Sequence, residues 1–132
     1  MSTLVVATIK SASSAAPVFQ NTSGTEKGQL TKAWCNWNGT GTVAIRDSFN
    51  VSSITDQGTG AYTVNFGSNM SNTDYYPNGI CSQNGTDVGH FDAVTFHTFN
   101  AGSIRMHTFG DPNQPGGETD CVICCFGIFG DN

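Results

Sequence analysis

From Ala33 onward, short stretches of apolar and aromatic residues alternate with polar residues and are separated by turn-forming residues. This alternation is typical of half-buried β-strands, in which successive side chains point to opposite faces. The pattern predicts eight strands: Ala33–Trp37, Thr42–Arg46, Ser53–Gln57, Ala61–Phe66, Tyr75–Ser82, Phe91–Phe99, Ser103–Phe109 and Cys121–Phe129. Glycine, asparagine and proline stand at the breaks between them. A series of short strands with this spacing predicts an all-β, antiparallel, jelly-roll-like β-sandwich.

The first third of the chain has a different pattern. Thr3–Lys10 alternates and predicts a short strand, whereas Ser11–Lys32 is rich in serine, alanine, threonine and glycine and holds few large apolar side chains. Such a segment is typical of an extended arm or linker. We therefore predict an extended N-terminal arm over residues 1–32 and a β-sandwich head over residues 33–132.

Two hairpins are predicted in detail. A turn at residues 58–60 joins a strand carrying Ile54 to one that buries Tyr62, Val64 and Phe66 on one face. In the second hairpin, a three-residue loop at residues 101–103 places His97 opposite His107.

That second register also places Phe99 opposite Arg105, so that the two histidines and their aromatic neighbours share one face.

Composition narrows the class of protein. The chain has 16 glycines, 16 threonines, 12 serines and 12 asparagines but only two leucines and two glutamates, which excludes an all-α protein. The formal net charge is −5 and the five basic residues are scattered, so we expect no nucleic-acid partner. No apolar run approaches the length of a membrane span and no signal-peptide pattern is present, so we expect neither membrane insertion nor secretion.

The chain has five cysteines, and the segment Cys121-Val-Ile-Cys124 resembles a metal-binding or redox motif. Because five is an odd number, the cysteines cannot all form disulfides within one chain. If Cys121 lies in the predicted strand, Cys121 and Cys124 point to opposite faces and cannot share a metal ion. We therefore expect reduced, buried cysteines that pack as small apolar residues, in a chain made in a reducing compartment.

Catalytic and metal-binding patterns are weak. His97 and His107 are the candidate metal ligands, with His90 or Asp92 as further donors, but a structural pairing of the two rings is the alternative. The aspartates stand mostly in turns, Asp56 among them, where their side chains serve the backbone. We expect no enzyme activity, no catalytic residue and no cofactor.

The aromatic residues suggest a different chemistry. Trp34, Trp37, Phe49, Tyr62, Tyr75 and Tyr76 lie among asparagine, aspartate and glycine, a mixture found in carbohydrate-binding loops. Most of them are expected in the core. Because adjacent strand residues cannot both face inwards, Tyr75, Tyr76 and Asn78 are the candidate glycan contacts.

Four stretches carry a resemblance to a known family: Thr3–Ser11, Ala16–Glu26, Lys32–Ile54 and Thr55–Phe66. Together, over roughly residues 3–70, they resemble virion-fibre modules of marine tailed, cyanophage-like bacteriophages. At Cys35 and at the cysteines of residues 121–125 this chain has thiols where the family pattern leads us to expect valine, alanine or isoleucine.

The resemblance implies a non-enzymatic structural protein of a bacteriophage virion, a tail fibre or a capsid-attached fibre or decoration, assembled in the cytoplasm of the host bacterium. It implies a homotrimer that contacts other tail or capsid proteins through its N-terminal arm. Val5, Ile9, Val18 and Phe19 are the candidate trimer or anchor residues. The alternative is a receptor-binding module that recognises host surface glycans through aromatic loops, and a hydrolase acting on host polysaccharide is a third hypothesis.

Overall fold

The computed structural model describes residues 5–10, 17, 19–85, 92–110 and 117–130, and all the regular secondary structure within these ranges is β. The chain divides into two compact units, Met1–Leu30 and Thr31–Asn132.

In the first unit, β1 (Phe19–Gln20) and β2 (Glu26–Gly28) form a short hairpin. The Asn21 side chain closes its turn, because Oδ1 accepts hydrogen bonds from the backbone N–H groups of Ser23 (3.1 Å) and Thr25 (2.9 Å). The predicted strand over Thr3–Lys10 is wrong for the described residues 5–10, where no strand forms. Apolar side chains there are exposed, so the alternation has no buried face on which a strand could pack.

The described residues of the second unit form eight strands, which match the eight predicted ones to within a few residues at their ends. They are β3 (Ala33–Asn38), β4 (Ala44–Phe49), β5 (Val51–Gly58), β6 (Ala61–Phe66), β7 (Tyr76–Ser82), β8 (Ala93–Asn100), β9 (Ser103–Phe109) and β10 (Ile123–Phe129). Sheet I has the order β4-β3-β10-β7 and sheet II the order β5-β6-β9-β8, with antiparallel pairing throughout. The predicted antiparallel β-sandwich is confirmed.

The inner faces of the two sheets form one hydrophobic core. Trp37 is fully buried between the sheets, with its ring edge-to-face to Tyr62 (centroids 5.8 Å apart) and to Phe126 (6.3 Å). Ile104 and Met106 contribute fully buried side chains from β9. Burying a large apolar side chain contributes roughly 1.5–3 kcal/mol, so this layer is the main source of stability of the head.

The hairpin of β5 and β6 has the predicted pairing, with Ile54 opposite Val64 and with Tyr62, Val64 and Phe66 buried. Its turn requires Gly60, which has a φ of +65°. A Cβ atom at this position would lie 2.6 Å from the backbone nitrogen of Thr119, so any other residue would collide with the neighbouring chain segment.

The predicted register of the second hairpin is wrong. Asn100 pairs with Ser103, which leaves a loop of two residues instead of three, and His97 lies opposite Arg105 instead of His107. The ladder is irregular between His97 and Asn100, where Thr98 has a φ of +53°. One extra residue on β8 at this bulge shifts the pairing of the remaining strand.

The buried cysteines also differ from the prediction in one respect. Strand β10 begins at Ile123, so Cys121 precedes it and both Cys121 and Cys124 are fully buried. The Cys124 thiol donates to the Cys121 carbonyl over 3.5 Å, and a hydrogen bond with Cys121 together with burial raises the pKa of the Cys81 and Cys124 thiols. All five cysteines are free, and Cys125 alone of them is partly exposed.

Candidate functional site

The outer face of sheet I exposes large apolar side chains where a soluble sheet normally carries polar ones. On β3 the side chain of Trp34 points outward, whereas those of Ala33 and Cys35 are buried. The other exposed members of this surface, here called the aromatic face, are Phe49, Tyr76, Ile80 and Phe129. Contiguous exposed apolar surface of this kind is characteristic of a binding site.

The strand register brings residues from distant parts of the chain into rows across this face. Phe49, Trp34, Gly127 and Asn78 are successive partners on β4, β3, β10 and β7, and Phe129 lies opposite Tyr76 in the neighbouring row. Gly127 has no side chain, so the middle of the row is a depression.

The depression is an open groove of about 420 Å³, within the range of roughly 300–1,000 Å³ found for small-ligand sites. It is lined by Thr31, Trp34, Asn78, Gly79, Ile80, Cys125, Phe126, Gly127 and Phe129. A Cβ atom at Gly127 would lie 3.1 Å from Asn78 Oδ1 and 3.7 Å from the Phe129 ring, so the glycine keeps the groove open between these two side chains.

Arg46 crosses the outer face beside this groove. Its Nη1 donates to Asn36 Oδ1 (3.1 Å) and to the Trp37 carbonyl (2.7 Å), and its Nη2 donates to the Val122 carbonyl (2.6 Å). The guanidinium group is therefore held by oxygen atoms of the protein itself, and it fastens the edge strand β4 to the centre of the sheet.

The candidate glycan contacts are separated by the fold. Tyr75 is only 4 % exposed, its hydroxyl lies 3.0 Å from the Asn100 carbonyl, and its ring contacts Phe66. It is a core residue, so its assignment as a glycan contact is wrong. Tyr76 and Asn78 are exposed on the aromatic face, in agreement with the expectation that one of two adjacent tyrosines faces outward.

Sequence reasoning did not select Trp34, Ile80 or Phe129 for the site. The signal for Trp34 was present, because it stands between two small apolar residues, Ala33 and Cys35, on a strand that buries them. The partners on β10 and β7 could not be found in this way, since their position beside Trp34 depends on pairing between strands far apart in sequence.

The outer face of sheet II is polar and contains the two candidate metal ligands. The rings of His97 and His107 lie 4.5 Å apart between centroids, as diagonal neighbours, and His107 Nδ1 is hydrogen-bonded to Glu118 Oε1. Burial, followed by the positive charges of His107 and Arg105, lowers the pKa of His97.

Metal binding at this pair has no further support. Within the described ranges no group of three or more histidine, cysteine or acidic side chains is placed to hold a metal ion, and His90 lies outside those ranges. Arg105, directly opposite His97, adds a positive charge that opposes a cation.

Four aspartates in the described part of the second unit accept hydrogen bonds from backbone N–H groups, and one of them, Asp47, accepts from Ser48 (2.8 Å). Asp56 accepts from the Gly58 N–H (2.9 Å), which confirms its predicted role in the turn, and Asp92 accepts from the Gln83 N–H (3.0 Å). Asp120 accepts from the Gly60 N–H (2.7 Å) and lies 3.0 Å from the Tyr62 hydroxyl. Burial and the hydrogen bond to Asp120 raise the pKa of Tyr62, so this interaction holds the hydroxyl protonated.

The candidate anchor residues lie in the first unit. Val5, Ile9 and Phe19 are exposed by 88 %, 61 % and 45 %, although all three are apolar. Val18 lies outside the described residues.

In comparisons with known proteins, no family model, no curated protein and no solved structure matches this chain. Among the residues that the structure describes there is no helix long and apolar enough to cross a membrane.

Proposed function

We propose that this chain is a non-enzymatic structural protein of a bacteriophage virion, a tail fibre or capsid-attached fibre or decoration. In this proposal it forms a homotrimer, its N-terminal arm anchors it to other virion proteins, and its β-sandwich head is exposed. The resemblance of residues 3–70 to virion-fibre modules supports the class of protein. The exposure of the apolar side chains in the first unit supports the role of the arm and is the observation that carries the proposal.

The described residues of the arm have little buried surface of their own. A two-stranded hairpin is at best marginally stable alone, and all the described residues of β1 and β2 are exposed. Val5, Ile9 and Phe19 would lose contact with water by packing against equivalent residues of other copies or against another virion protein. Association would thus supply the burial that these described apolar side chains of the arm lack.

The test replaces Val5, Ile9 and Phe19 together by aspartate in the full-length chain. We expect light scattering to report a trimer for the unmodified protein and a monomer for the triple variant, and we expect the variant to be missing from assembled particles. A matched triple variant at exposed polar positions of the same unit, Gln20→Asp, Thr25→Asp and Gln29→Asp, controls for added charge. A monomeric unmodified protein, or normal incorporation of the apolar triple variant, would contradict the proposal.

A second candidate function is recognition of host surface glycans by the head. The observation that favours it is the presence of Tyr76 and Asn78 on the aromatic face next to a groove. A glycan array probed with the full-length protein tests it, and the absence of any bound glycan would exclude it.

A further inference from the structure

We propose that the groove of the aromatic face binds a neutral oligosaccharide, with one sugar ring against Trp34 and another against Phe129. This inference rests on the second candidate function and is independent of the first. It adds to that function a specific groove and a specific chemical class of ligand.

The apolar part of the groove is a pair of aromatic rings. Trp34 and Phe129 are 37 % and 36 % exposed, so each has part of its ring available while the rest is held by the sheet. A pyranose ring has a face of C–H groups that packs against an aromatic ring, and a ring held rigidly loses little conformational entropy when it binds. Ile80 adds an aliphatic wall on the β7 side of the groove.

The polar part is Asn78, which lies in the same row as Trp34 with Gly127 between them. A carboxamide offers both donors and an acceptor, the combination that vicinal sugar hydroxyls require. Thr31 adds a hydroxyl to the lining. A purely apolar partner would leave these groups without hydrogen bonds, which is costly in a closed interface.

The charge of the groove selects among glycans. None of the described residues that line it carries a formal charge. Arg46 does not line the groove, and three of its five N–H donors are bound by oxygen atoms of the protein. With a net charge of −5, the protein also repels acidic polymers, which leaves neutral saccharides as the matching class.

The experiment titrates the full-length protein by calorimetry with cellohexaose, laminarihexaose, maltohexaose and mannohexaose, and with oligogalacturonate as the acidic probe. We expect at least one neutral oligosaccharide to bind, with an affinity that changes less than about twofold when salt is raised, because no ion pair forms. We expect Trp34→Ala to weaken binding about tenfold or more.

Two further variants keep both rings. Gly127→Ala places a methyl group between Asn78 and Phe129, and Asn78→Ala removes the central amide; each should weaken binding several-fold. Phe99→Ala, on β8 of sheet II, is the matched control, because Phe99 is 38 % exposed and does not line the groove. It should bind like the unmodified protein.

Four results would overturn the inference: no binding of any neutral probe, salt-sensitive binding of oligogalacturonate alone, equal affinities for the Trp34 and Phe99 variants, or self-association of the protein that Trp34→Ala abolishes. The last result would show that the aromatic face is an interface between copies of this chain. Particle incorporation of the Trp34 variant, measured in parallel, distinguishes failure of this inference from failure of the proposed structural role.

Discussion

Trp34 and Trp37 lie three residues apart on β3 and belong to the two opposite faces of sheet I. Trp37 is fully buried against Tyr62 and Phe126, whereas Trp34 is partly exposed at the edge of a groove. Tyr75 and Tyr76 repeat this contrast at the start of β7, with one ring in the core and the other in solvent. The same residue types thus take a structural role on one face and a candidate binding role on the other, and position along the strand decides between them.

The outer face of sheet II shows that an exposed sheet in this protein need not be apolar. Its strands carry Thr63, Asn65, Arg105 and His107 at outward positions. Since both sheets belong to the same chain, the aromatic character of the outer face of sheet I does not follow from overall composition. This difference is the reason for proposing a binding function for the outer face of sheet I.

The largest expected difference in stability is between alanine variants of the two tryptophans. Trp37→Ala removes a fully buried ring and leaves a cavity, and we expect it to lower the free energy of unfolding by about 3–5 kcal/mol. Trp34→Ala removes a ring that is 37 % exposed, and we expect a loss within about 1.5 kcal/mol. Urea denaturation followed by circular dichroism measures both, and similar losses for the two variants would remove the distinction between the faces.

We expect an intermediate loss of stability at alkaline pH from the Cys35 thiol on the inner face of sheet I. Burial, with smaller effects from Cys125 and Asp47, raises the pKa of Cys35 from 9.0 to about 12. The unfolded chain therefore releases this proton first, and stability falls as the pH rises above about 9, by about 1.4 kcal/mol at about pH 10 for this thiol alone.

The matched variant is Cys35→Ala, which keeps a small apolar side chain and removes the titrating group. Denaturation of both proteins at about pH 8 and about pH 10 should show a smaller decline for the variant. Equal declines would mean that the buried Cys35 thiol does not contribute to the alkaline loss of stability.

We expect the smallest change in the free energy of unfolding from a substitution on the outer face of sheet II. Glu118→Gln replaces the carboxylate that pairs with His107, and the two side chains are 40 % and 18 % exposed. Exposed pairs contribute little, so we expect a change within about 1 kcal/mol, and a smaller one in high salt. A loss of unfolding free energy comparable to that of Trp37→Ala would show that this polar face contributes as much to stability as the core.

The sequence is sufficient to predict the fold class, because each strand carries its own alternation and each break carries its own turn residues. The same parity rule correctly separates Tyr75 from Tyr76, although it does not say which of them is buried. The register of β8 and β9 was not predictable, since the bulge depends on Thr98 adopting a φ of +53°, which threonine seldom does.

The groove was even harder to predict from the sequence than the register of β8 and β9. It needs Trp34, Asn78 and Gly127 side by side, and these residues belong to three strands whose pairing is set by the packed sandwich. The positions of Cys121 and Cys124 were missed for a related reason. Strand β10 begins at Ile123, two residues later than predicted, so Cys121 lies outside the strand and the alternation of faces does not apply to it.

The position of β3 in sheet I has a mechanical consequence. The chain passes from the first unit directly into β3, which is hydrogen-bonded on one side to β4 and on the other to β10. A pull applied through residues 31–32 along this strand would load two antiparallel ladders at the same time, in shear, and the Arg46 side chain links β4 to β3 and to Val122, the residue before β10. In the proposed virion role, a head held by its N-terminal segment would be connected to that segment through a central strand of the sheet, where both neighbouring strands share the resistance to extraction.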